Sequence, residues 1–156
     1  MEAGTDTKRL LVIHFLLQRV TPEIRYLLLP VNIGNTHWCL LIVNLINGHV
    51  ELWDSLRSPR SRFPVQICQD RLQIFIRALC PETPELKFSI AEVPQQTGTN
   101  CGVFMLEFIR AFANGQRVGK LVDVSEARMP EFRANIVSQF LGCGAAGEEA
   151  SQDPSN

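Results

Sequence analysis

The sequence has little of most features that announce a function. Only three of its 156 residues are histidine and one is tyrosine. The five cysteines, at 39, 68, 80, 101 and 143, are odd in number and include no CxxC pair. That argues against a disulfide framework and against thioredoxin-type or zinc-ribbon chemistry. Nor does any set of residues carry the spacing of metal ligands. Fifteen basic residues against sixteen acidic ones leave a formal net charge of -1. Such a balance gives neither nucleic acid nor an anionic membrane an electrostatic reason to bind. No apolar run approaches the roughly 20 residues that a bilayer crossing needs. The N-terminal apolar stretch is broken by His14, Gln18 and Arg19 and has no small-residue cleavage site after it. The expectation is a soluble intracellular protein of nucleus or cytoplasm, acting without a cofactor.

What is present reads as one compact domain. Hydrophobic residues make up 46% of the chain and charged ones 20%, the ordinary balance of a globular core. Residues 7 to 20 set Leu10, Ile13, His14, Leu17 and Val20 at helical spacing. Three strands follow, at 25 to 33, 38 to 46 and 49 to 54, with Gly34-Asn35 ending the first. Asn47-Gly48 is a hairpin signal, because a tight primed turn needs positive φ at both central positions. A helix is expected over 65 to 79, stopped by Pro81 and Pro84. A strand over 87 to 93 comes next, then the Gly/Thr-rich loop QQTGTN and the helix CGVFMLEFIRAFANG, with Gly115 as its C-cap residue. A last helix is expected over 131 to 141. The pattern is α+β, a mostly antiparallel sheet flanked by helices, with residues 1–141 as the domain and 142–156 as a disordered tail.

One cysteine differs from the others in its setting. Cys101 follows a small polar loop and opens an apolar helix, where free N–H groups and the helix dipole favour a thiolate. Cys39, Cys68 and Cys80 fall inside strand or helix patterns, and Cys143 lies in the tail. The plainer reading of Cys101 is a small buried residue at a helix start. A thiol nucleophile wants an imidazole base, and the imidazole wants a carboxylate to hold its tautomer. His14 sits on a helix face and His49 at a solvated strand end. His37 begins a strand straight after Gly34-Asn35-Thr36, and Asp54 ends the next. An even offset places these two on one face of the sheet. A strict two-residue turn, however, pairs Asp54 with Leu41 and leaves His37 four residues beyond, ~13 Å away. Contact then needs a wider loop or a bulge. Gln95 and Gln96 precede Cys101 in a loop after a strand. Either amide could join the Cys101 N–H in an oxyanion hole, or both could be solvated loop residues.

Together, THW at 36–38, WDS at 53–55 and PQQTGTNCGVF at 94–104 resemble the Ulp and sentrin-specific protease family. These are papain-like cysteine peptidases that process SUMO and related modifiers. In that family a His-Trp pair opens one strand, an Asp ends the next seventeen residues later, and a Gln precedes the Cys-Gly by six. His37 to Asp54 is seventeen and Gln95 to Cys101 is six. The resemblance thus implies His37, Asp54, Gln95 and Cys101 as catalytic, with Gln95 the oxyanion glutamine. It implies Trp38, Gln96 and Gly102 as substrate-binding, with Trp38 lining a tunnel for a diglycine tail. It also implies a SUMO-like modifier and its conjugates as partner, cut by attack of Cys101 after the Gly-Gly end. Asn100 stands where the family usually has Asp, and only 36 residues, none of them tryptophan, precede His37. Two other readings stay open: a modifier-binding module without turnover, and a Cys-His-acid acyltransferase.

Overall fold

The computed structural model describes residues 21, 23–56, 65–117 and 124–148. The helix expected over 7 to 20 lies outside them. Four strands form one sheet in the order β1 (Tyr26–Ile33), β2 (His37–Asn44), β3 (His49–Trp53) and β4 (Lys87–Ile90). The first three pair antiparallel, and β4 runs parallel to β3. Helix α1 (Val65–Leu79) lies between β3 and β4 in the chain, because a parallel neighbour requires a crossover. Helix α2 (Cys101–Ala113) and helix α3 (Met129–Glu148) complete the fold. No helix of the described residues is long and apolar enough to cross a membrane.

Strand alternation divides the core in two. Leu40, Ile42 and Trp53 join Val103, Phe104, Phe108, Phe112, Met129 and Phe132 of α2 and α3 on one face. Cys39, Leu41, Val43, Val50 and Leu52 meet Leu72 and Ile76 of α1 on the other. Trp53 is fully buried and packs edge-on against Phe108 and Phe112, with ring centroids 5.7 and 5.9 Å apart. Each such buried side chain contributes about 1.5–3 kcal/mol. The two clusters therefore hold β2 and β3 rigidly from both sides.

The turns differ from expectation in an informative way. The positive-φ pair falls at Gly34–Asn35, each with φ 58, and Thr36 N–H donates to Ile33 O at 3.1 Å. At the second turn only Gly48 has positive φ, at 69. There the Asn44 carboxamide oxygen accepts from the N–H groups of Ile46 (3.0 Å) and Asn47 (3.3 Å), and Asn47 Oδ1 accepts from His49 N–H (2.9 Å). These side-chain bonds stabilise a loop over residues 45–48 in place of the two-residue turn. The register moves by two: Leu40 pairs with Trp53 and Leu41 with Leu52. An even shift keeps every side chain on its face.

Gly48 also lies against the β4 approach. A Cβ there would sit 2.6 Å from Glu85 O and 2.9 Å from Pro84 O. Gly48→Ala therefore combines a left-handed backbone with a collision against main chain. We expect it to lower stability by about 2 kcal/mol or more, read as a reduced urea midpoint with an unchanged slope.

Helix α3 runs to Glu148, past the end expected at Leu141. Residues 142–148 lack apolar periodicity, but they contain alanines and no proline, which the helix tolerates. Helix α2 ends as its sequence suggests: Gly115 N–H donates to Phe112 O and Gln116 N–H to Ala111 O, the bond pattern of a Schellman motif.

Candidate active site

The shifted register brings His37 and Asp54 together. His37 is the first residue of β2 after the Gly34–Asn35 turn, and Asp54 is the residue after β3. Their side chains meet with His37 Nε2 2.7 Å from Asp54 Oδ1. Both are buried, at 6% and 5% exposure. Asp54 Oδ1 also accepts from the Leu56 N–H at 2.8 Å, so the carboxylate has a fixed orientation. A buried carboxylate needs such partners to offset its lost hydration. His37 Nδ1 is buried with no hydrogen-bond partner among the described residues. With Nε2 donating to Asp54, Nδ1 is the nitrogen left to accept a proton.

Cys101 is the first residue of α2, and Phe104 N–H already donates to Asn100 O at 2.9 Å. The N–H groups of the first turn before it have no intrahelical acceptor. The helix packs on β2. A side chain on Gly102 would begin 3.7 Å from Trp38 Cδ1, so the start of α2 abuts the residue after His37. Trp38 is 38% exposed, although the rest of β2 is largely buried. It lines a cleft of about 530 Å³ with Thr99, Cys101, Gly102, Leu106 and Val137. Of the other cysteines described with side chains, Cys39 is buried, and burial pushes the Cys80 thiol above its ordinary range.

The two glutamines separate. Gln95 Nε2 donates to Asp54 O at 3.0 Å and to Val93 O at 2.9 Å, tying the loop before Cys101 to the main chain of Asp54. Both amide hydrogens are thereby engaged, so an oxyanion role requires the amide to turn. Gln96, expected at the substrate surface, is buried instead, and its N–H donates to Ser55 O at 2.8 Å. Alternation after β4 sends one glutamine outward and the next inward. Sequence reasoning passed over Glu126 and Arg133 altogether. Glu126 accepts from Thr97 N–H at 3.2 Å and from Asn100 Nδ2, and Arg133 Nη2 donates to Asn100 Oδ1 at 2.5 Å. Their distance from the motif in sequence hid them. Among the described residues no group of three or more His, Cys, Asp or Glu is arranged to hold a metal.

The model of the Ulp1 protease family, C-terminal catalytic domain, matches residues 14–143. The chain belongs to the Ulp1 protease family. A comparison with curated protein sequences gives no match. Among solved structures, this Ulp1-family chain resembles SUMO protease Ulp1 with its catalytic cysteine oxidised to a sulfonic acid, at TM-score 0.61 and 18% identity over 74% of this chain and 53% of that one. It also resembles the C-terminal Ulp1 protease domain in complex with Smt3, the yeast ortholog of SUMO, at TM-score 0.57 and 19% identity over 74% and 52% of the two chains. The Ulp1-like SUMO protease catalytic domain of Chaetomium thermophilum matches at TM-score 0.51 and 23% identity, over 69% and 42%. The chain thus spans about half the length of these structures. Its mixed α+β architecture, with a mostly antiparallel four-stranded sheet, is the Ulp1-like fold.

Proposed function

We propose that this Ulp1-family domain is a cysteine peptidase that cleaves after the diglycine end of a SUMO-like modifier. Cys101 is the nucleophile, His37 the base and Asp54 the orienting acid. The observation that carries the reading is the buried His37–Asp54 bond at 2.7 Å, with Nδ1 left without a partner among the described residues, at the head of a strand whose next residue, Trp38, abuts Gly102 at the start of the Cys101 helix. That arrangement is useful to a thiol nucleophile and, as a structural element, only costs desolvation.

In the first step the Cys101 thiol passes its proton to His37 Nδ1 and the thiolate attacks the carbonyl carbon. The developing oxyanion meets the first N–H groups of α2, joined by the Gln95 amide once it turns from the Asp54 carbonyl. Collapse breaks the C–N bond, and His37 gives its proton to the leaving amine. Water then adds to the thioester, losing a proton to His37, and the second collapse returns the Cys101 thiol and the modifier carboxylate.

Trp38 supports the choice of substrate. A half-exposed indole over Gly102 suits a tail without side chains, which can lie flat between them. The test is hydrolysis of C-terminal fluorogenic amides of SUMO, ubiquitin and other modifiers. Release from a SUMO-like modifier by wild type is the expected result, and Trp38→Ala should raise KM more than it lowers kcat, by roughly tenfold in kcat/KM for a lost aromatic contact of about 1.4 kcal/mol. Binding of modifier without turnover, unaffected by Cys101→Ala, would replace this reading by a binding module.

A further inference from the structure

The side chain before the nucleophile is held in an unusual way. Asn100 is the N-cap of α2, yet its carboxamide makes no capping hydrogen bond. An asparagine there ordinarily turns inward to satisfy a first-turn N–H and stabilises the helix by about 1 kcal/mol. Instead both ends of the amide face α3 and the turn before it. Nδ2 donates to Glu126 Oε1, and Oδ1 accepts from Arg133 Nη2 at 2.5 Å. The second oxygen of Glu126 accepts from Thr97 N–H at 3.2 Å, three residues earlier in the same loop. Gly98 brings the loop close, since a Cβ there would sit 3.3 Å from Glu126 Oε1. One carboxylate therefore fixes the nucleophile loop at two points, and one guanidinium holds the far end of the amide.

We propose that Glu126 and Arg133 are positioning residues for Cys101, acting through Asn100, and that Glu126 is the reason an amide stands at position 100. The inference rests on the reading of Cys101 as nucleophile. An aspartate at 100 would set its carboxylate against that of Glu126, and two like charges in contact cannot both be accommodated. An amide presents a donor to Glu126 and an acceptor to Arg133 at once. The carboxylate that the family resemblance places before the cysteine stands instead at position 126. Asn100→Asp combined with Glu126→Gln should then restore the network in the opposite sense. The carboxylate, now at position 100, accepts from the amide at position 126 and pairs with Arg133.

The experiment compares wild type, Asn100→Asp, Glu126→Gln and the double variant. Iodoacetamide alkylation of Cys101 is followed by peptide mass spectrometry, and amide exchange is followed at Thr97. Neither readout depends on which modifier is cut. Each single change should slow Cys101 alkylation by roughly tenfold and speed Thr97 exchange, with the double variant back within about threefold of wild type, as coupled neighbours behave. A pure field effect would instead make Glu126→Gln faster, since it removes a negative charge near the thiol. Singles at the wild-type rate, or a double variant equal to the product of the singles, overturns the proposal. If wild type hydrolyses no modifier while the exchange of groups still rescues alkylation, the peptidase reading fails and the positioning account stands.

Discussion

Cys101→Ala is expected to remove turnover of any modifier substrate by ~10⁴-fold or more, leaving only what binding and the oxyanion site supply. Cys101→Ser should do nearly the same, because an alcohol holds its proton far more tightly than a thiol and His37 cannot take it at neutral pH. The fold should survive both. Cys101 is only partly buried and in no disulfide, and the apolar face of α2 is carried by Val103, Phe104, Phe108 and Phe112. Melting curves that match wild type, together with lost hydrolysis, separate chemistry from stability. Retained hydrolysis in Cys101→Ala would move the nucleophile elsewhere.

Asp54→Asn has the second largest expected effect, a loss in kcat on the order of a hundredfold or more. Asp54 Oδ1 accepts from both His37 Nε2 and Leu56 N–H. An asparagine whose oxygen keeps the Oδ1 place offers His37 only a neutral acceptor, with no charge to balance the imidazolium; one whose NH₂ takes that place loses the Leu56 bond and points a donor at His37. In the second orientation the imidazole must accept at Nε2, which puts its proton on Nδ1, the nitrogen that has to receive the thiol proton. The base is then blocked by its tautomer while its position is unchanged. KM should move little, because Asp54 is buried and bonded to His37, closed off from solvent and from a bound tail. His37→Ala should approach Cys101→Ala in activity, and it leaves the Asp54 carboxylate buried without its partner, so it should also destabilise. Steady-state kinetics on folded Asp54→Asn gives the decisive comparison, and near wild-type kcat would refute the assignment of the acid.

The His37–Asp54 pair was legible in the sequence, but its contact was not. His37 and Asp54 could be named from their places at strand ends and from the seventeen-residue interval. The distance between them depended on a register set by loop chemistry. Asn44 and Asn47 accept backbone N–H groups within the loop, and those bonds widen the turn that Asn47-Gly48 suggested. The even shift preserved the face, so the pairing argument survived an incorrect turn. The strands and α1 followed from periodicity and breakers, because apolar alternation and Pro81 and Pro84 leave little freedom. The extent of α3 did not, since glycine and alanine carry no periodic signal. Gln95 and Gln96 looked equivalent in sequence, and only their burial separates them. Glu126 and Arg133 touch Asn100 from far along the chain, where local reasoning has no reach.

The most direct test of the central claim is incubation of the chain with SUMO, ubiquitin and other modifiers carrying a reactive C-terminal electrophile, with adducts mapped to residues by mass spectrometry. Burial covers Cys39 and raises the Cys80 thiol, so accidental labelling at those positions is disfavoured. A single adduct with a SUMO-like modifier, located at Cys101 and absent from Cys101→Ala and His37→Ala, is the predicted result. An intact Cys101 that forms no adduct with any modifier, or an adduct that persists in Cys101→Ala, would contradict it.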